Sequence, residues 1–243
     1  MNNRLFRNKN QDNDKKNISP KQKVYDNKDT IKAQLRNLKN LDSKVYARYL
    51  VTTDPIQGKI PKDEIDEIIN SSMKCGKDEA NKLLEKYGNI SPSEMAKSLN
   101  IDLSHQDKQG LTDYIYFGLF ESPNSIIIYD GNIETADNLL KELNIDYFNV
   151  DFKDIVLAHE IFHYIEFHDK SLYSNIRRIN LWSLGKLYTH TSPLICTGEI
   201  AGMSFAKILI DLDFDPNLLN YIFLVAYDFD KADKLYKRIT KYA

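Results

Sequence analysis

The chain has 243 residues, an ordinary apolar fraction, many Tyr and Phe, and a net charge of −2. This allows a sizeable core in one large domain or in a domain with a small appendage, and it gives no electrostatic case for nucleic acid or an anionic membrane as the main partner. Two cysteines, Cys75 and Cys196, form no disulfide framework and fit a reducing compartment; with no apolar h-region in the first ten residues and no run long enough to span a bilayer, a cytoplasmic setting is expected.

Residues 1–28 are dominated by Asn, Lys, Asp and Gln, bury too little apolar surface to offset their ordering entropy, and are expected to form a disordered polar tail. From Asp29 to about Leu50, Ile31, Leu35, Leu38, Leu41, Val45 and Tyr49 recur at helical spacing. Pro55, Gly58 and Pro61 then break the chain, so 29–61 reads as an N-terminal helix and linker. Helices are expected over Asp63–Cys75, with Gly76 at its C′ position, and over Glu79–Tyr87, closed by Gly88. Another opens at the capping box Ser91-Pro92-Ser93-Glu94 and runs through Leu99.

Residues 112–130 change period. Tyr114–Phe120 and Ser125–Tyr129 are β-rich runs separated by Ser122-Pro123-Asn124, the pattern of an antiparallel hairpin. Ile133–Leu143 reads as a helix. Asp151 then offers an N-cap for a nearly all-apolar helix through His168. Residues 170–191 lack a clean repeat, with a helical stretch expected around Tyr173–Leu187. Ser192-Pro193 reads as N-cap and N1 of a helix to about Ile210, Leu218–Tyr227 as a buried helix, and Leu235 and Ile239 as part of a last amphipathic turn or two.

The chemistry is concentrated in the apolar helix, where His159-Glu160-Ile161-Phe162-His163 matches H-E-x-x-H. Positions four apart share a helix face, so both imidazoles can reach one metal ion, and Glu160 is placed as general base toward a water on that metal. Burying His and Glu among Ile, Val, Leu and Phe is costly unless they are paired or metal-bound. A catalytic zinc site takes a third protein ligand, and the candidates are Glu166, His168, His190, Cys196 and Glu199. His168, five residues past His163, is rotated off the shared face. Glu166, one turn further along the helix, suits a hydrogen-bonding or salt-bridge role. Glu199 is the better candidate, because Gly202 and Ala206 at +3 and +7 give its helix face small residues that permit close approach. Tyr188 and His190 are both open as oxyanion donors, and Ser125–Tyr129 as an edge that pairs with an extended peptide. Cys196 reads as a buried structural thiol ahead of a redox switch on the metal.

The motif L-A-H-E-I-F-H-Y followed by E-x-x-[small]-x-x-F-A-x-x-L resembles the ImmA/IrrE family of bacterial zinc metallopeptidases. The matching residues are His159, Glu160, His163, Glu199, Gly202, Phe205, Ala206 and Leu209. Lys86–Ile101 resembles the helical lead-in of that family, and the likeness covers roughly residues 62–212. It implies a gluzincin-like zinc site of two His and one Glu, a zincin-like site helix, and hydrolysis of a peptide or protein, such as a transcriptional regulator. Two features depart from the family pattern: a long separation between His163 and Glu199, which implies an inserted segment at 169–191, and the lack of a recognisable DNA-binding domain together with a C-terminal part past 215 without counterpart.

The expected fold is therefore α+β, a mostly helical body with a small antiparallel sheet. The expected divisions are a tail (1–28), a helix and linker (29–61), a metallopeptidase domain (62–215) and a C-terminal helical extension (216–243). The alternative is a non-catalytic zinc-binding regulatory or interaction protein on the same scaffold; a third reading makes the tail and first helix a docking arm for a partner that delivers substrate. Glu160 favours the enzyme, since a purely structural site needs no general base.

Overall fold

The computed structural model describes residues 20–107, 117–184 and 188–243. It is α+β: helices dominate, with a three-stranded sheet and a separate two-stranded one. Most of the expected tail lies outside the described residues, but its end forms α1 (Pro20–Asp26), which buries Val24. The single helix expected over 29–50 is two, α2 (Lys28–Lys39) and α3 (Ser43–Val51). The break falls at Asn40-Leu41-Asp42, where the Asp42 side chain accepts the Lys44 N–H at 2.7 Å and caps α3. The apolar period runs through this break because both helices face one core, and the Tyr46 hydroxyl donates back to the Leu38 carbonyl.

The two helices expected on either side of Gly76 are one, α4 (Ile65–Tyr87). Gly76 is not a cap. It lies where α4 crosses a later helix, α9 (Ile195–Leu209), and a Cβ there would sit 1.9 Å from the Ala201 carbonyl oxygen. α5 (Pro92–Ser98) has the expected capping box, with Ser91 and Glu94 bonding reciprocally.

The expected hairpin is present as β2 (Gly118–Glu121) and β3 (Ser125–Tyr129), paired antiparallel; the part of the expected first run before Phe117 lies outside the described residues. A strand that the sequence pattern does not announce, β1 (Asp102–Gln106), joins β3 in parallel, so the sheet is mixed. Its order is β1-β3-β2. Ser125–Tyr129 is therefore central and cannot serve as the peptide-pairing edge; among the described strands of this sheet β1 and β2 are the edges.

α6 (Asp130–Glu142) leads to α7 (Phe152–His168), capped as expected by Asp151, which accepts the Lys153 N–H at 2.8 Å. The helical stretch expected around Tyr173–Leu187 is reduced to one turn, α8 (Tyr173–Ile176). It is followed by the antiparallel pair β4 (Arg178–Leu184) and β5 (Tyr188–Pro193). Ser192-Pro193 accordingly ends a strand and caps nothing; α9 begins at Ile195 behind Leu194, without a side-chain cap. α10 (Leu218–Tyr227) has the expected bounds, and α11 (Phe229–Thr240) runs three turns, longer than expected. A continuous apolar core extends from Val24 of α1 to Ile239 of α11 and includes Ile155, Ile161 and Phe162 of α7. No helix among the described residues is long and apolar enough to cross a membrane.

Candidate metal centre

Burial of Ile155, Val156, Leu157, Ala158, Ile161 and Phe162 fixes the rotation of α7 about its axis. That rotation turns His159 and His163 toward α9, with their Nε2 atoms 3.0 Å apart. Glu199 reaches across from α9, its carboxylate oxygens 3.6 Å from His159 Nε2 and 3.8 Å from His163 Nε2. Three ligand atoms from these residues lie within 4.8 Å of one another. Tetrahedral donors at ordinary metal–ligand lengths of about 2.0–2.2 Å stand about 3.3–3.6 Å apart, and the observed separations, the two to Glu199 being to different carboxylate oxygens, lie close to that spacing. The group can hold a metal ion.

Glycines make this approach possible. A Cβ on Gly202 would lie 2.9 Å from both Nδ1 and Cε1 of His159, so α9 meets the imidazole only because that position is bare. Gly198 does the same for Glu166, and Gly118 of β2 for Glu160, whose Cγ would lie 2.8 Å from an added Cβ. His159 Nδ1 is buried with no hydrogen-bond partner, whereas His163 Nδ1 lies 3.1 Å from Glu166 Oε2. A carboxylate on the far nitrogen orients an imidazole and raises its basicity toward a metal. Glu166 thus orients His163, and the Asn175 amide donates to the Glu166 and Asp169 carbonyls, pinning the helix end. Replacing Glu166 by Gln should weaken metal affinity about 10–100-fold while leaving the fold intact, as read by titration against a chromophoric chelator. Unchanged affinity would mean that the contact does not tune the metal.

The two imidazoles titrate in opposite directions. Burial and the neighbouring His163 charge push His159 well below the ordinary histidine value. Burial also depresses His163, but the Glu166 hydrogen bond and the charges of Glu199, Glu160 and Glu166 outweigh it and raise it to about 9. A proton held by His163 competes with a metal ion for that imidazole, and metal binding has to displace it. Metal affinity should therefore rise roughly tenfold per pH unit between about pH 6 and 8, as measured by chelator competition. A flat profile would show that His163 binds no competing proton.

Glu160 lines the same pocket as the ligand cluster and reaches β2. Its Oε2 accepts the Phe120 backbone N–H at 2.8 Å. Burial pushes its pKa up to about 7, against the lowering effects of His163 and the Phe120 hydrogen bond, with Glu199 adding to the rise. A carboxylate poised near neutrality beside a metal-sized gap is suited to moving a proton at physiological pH. These groups line one open pocket of about 540 Å³. Its other walls are Leu119 and Phe120 of β2, with Phe167 and Lys170 at the end of α7, and the Lys170 ammonium lies 4.7 Å from the Phe167 ring centroid.

Of the other candidate ligands, His168 is exposed and turned back to the Tyr164 carbonyl. His190 stacks on Trp182 in the β4–β5 pair and does not line this pocket. The Tyr188 side chain lies outside the described residues. Cys196 is buried, its N–H donating to Asp54 Oδ2 at 2.9 Å, and burial together with Asp54 raises its thiol far above the reactive range. That environment is structural and does not suit a redox switch. Sequence reading misses Gly118, Phe120 and Asn175, which act through backbone position or a backbone contact. Only the glycine interrupting an aromatic run hints at the first. No protein-family description matches the chain, and neither the curated proteins nor the solved structures include a match.

Proposed function

We propose that the protein is a zinc-dependent metallopeptidase. The observation that carries this reading is the union of a His-His-Glu donor set with a separate, buried carboxylate lining the same pocket. His159, His163 and Glu199 hold the metal; two imidazoles and one carboxylate with one open side are a donor set that suits catalytic zinc. When bound, zinc lowers the pKa of a water and polarises a carbonyl. Glu160 takes the proton from the attacking water and delivers it to the leaving amine. The Phe120 N–H fixes one oxygen of Glu160 and leaves the other for that transfer.

An extended peptide would lie along β2, the sheet edge that borders the pocket, so that its backbone pairs with the strand while the scissile bond faces the metal. A regulatory protein as substrate follows from the motif resemblance alone.

The test is to incubate the zinc-loaded protein with a complex peptide library and read new termini by mass spectrometry. Cleavage that a chelator abolishes and zinc restores supports the reading. An intact library with zinc demonstrably bound would leave a non-catalytic metal-binding regulator.

A further inference from the structure

A second feature lies on α10 and α11, which have only Asp228 between them. A groove of about 640 Å³ opens between these helices and the end of α3. α10 lines it with Asn220, Phe223, Leu224 and Tyr227, and α11 with Lys231, Lys234, Leu235 and Arg238. Both sets follow i, i+3, i+4, i+7, the spacing of a single helix face. One wall is thus mainly aromatic and aliphatic, while the other carries three cations around one leucine.

The rings are recessed. Phe117 stacks on Phe223 with centroids 3.7 Å apart, and Arg238 lies 5.1 Å over the Tyr49 ring on the third wall. No Asp or Glu lines the groove among the described residues. The acids of α11 pair elsewhere, Asp230 with Lys23 and Asp233 with Lys237. Lys231 has Asp228 at 3.5 Å, whereas Lys234 and Arg238 have no carboxylate partner among the described residues. On a chain of net charge −2 this is a local surplus of positive charge beside apolar surface.

We propose that this groove docks an acidic amphipathic helix of a partner protein. Helical ridges form two of its walls, and a third helix laid between them would set apolar residues against Phe223, Leu224 and Tyr227. Its acidic flank would meet Lys234 and Arg238, whose charges fix its orientation. A membrane surface fits less well, because the apolar side chains are recessed between helices instead of protruding. The groove shares no residue with the metal pocket, so this inference stands apart from the peptidase reading.

The test is fluorescence anisotropy with a labelled amphipathic helical probe of about 16 residues, carrying Leu and Phe on one face and Glu along its flank, and a control with Lys in place of Glu. The full-length protein should bind the Glu probe with a Kd in the range of about 1–100 μM and should prefer it to the Lys control. The double substitution K234E/R238E should weaken binding at least about tenfold, as should raising salt from about 50 to 500 mM. Both side chains are exposed, so circular dichroism and metal affinity should not change in the variant. Equal binding of the two probes, or wild-type binding by the variant, would overturn the proposal. So would capture by anionic phospholipid vesicles that the double substitution abolishes while the probe fails to bind, which would assign the groove to a membrane.

Discussion

Replacing Glu160 by Gln should lower peptide hydrolysis by about 10²–10⁴-fold while zinc stoichiometry stays that of the wild type. Gln preserves the volume of the side chain and can still accept the Phe120 N–H, so β2 and α7 keep their contact. It cannot take a proton. The substitution also removes a buried carboxylate whose ionised form is disfavoured by desolvation, and stability should hold or rise. The effect should fall on kcat more than on KM, because a proton transfer acts in the transition state and not on bound substrate. A variant that cleaves at the wild-type rate would remove Glu160 as the base. One that loses both zinc and activity would show that Glu160 supports the metal.

The second large effect is expected at a position far from chemistry. Gly76→Ala should lower stability by about 2–3 kcal/mol and Tm by roughly 5–10 °C. Helix propensity alone predicts the opposite sign, since Ala is about 1 kcal/mol better than Gly within a helix. The clash decides. A methyl group there would sit 1.9 Å from the Ala201 carbonyl oxygen and 2.9 Å from the Phe205 nitrogen, and backbone atoms cannot rotate aside. α9 must move off α4, and it carries Glu199 with it, so metal affinity should fall as well. Gly58→Ala is the matched control, with nothing within 4 Å of an added Cβ, and should change stability by no more than about 0.5 kcal/mol. Thermal denaturation of the two variants settles the sign; a stabilised Gly76→Ala would mean that propensity outweighs the crossing.

These two positions differ in how far the sequence discloses them. His159 and His163 are legible because a helix converts their spacing into a shared face, and Glu160 because the motif sets it next to His159, both purely local relations. Glu199 is legible for a less direct reason: the small residues after it mark a helix that another helix approaches, and Gly202 does meet His159. Gly76 is misread because the same residue type that ends helices also permits close crossings, and only the identity of the neighbour distinguishes the two. β1 is missed because its residues D-L-S-H-Q are almost all exposed, so no alternation marks the strand. β4 and β5 stand apart as a two-stranded pair with one buried position described in β4, Ile179, and again give too weak a period. The α9 start is misplaced because Ser-Pro reads as a cap, whereas tertiary pairing with Arg178 and Ile179 takes those residues into a strand.

The proposed function requires that His159, His163 and Glu199 form one metal site. Elemental analysis of protein prepared without added metal and then offered zinc tests it most directly, with His163→Ala and Glu199→Ala alongside the wild type. About one zinc per chain in the wild type, lost or much reduced in both variants, is the expected result. No bound metal in the wild type, or full occupancy retained in either variant, would contradict the assignment.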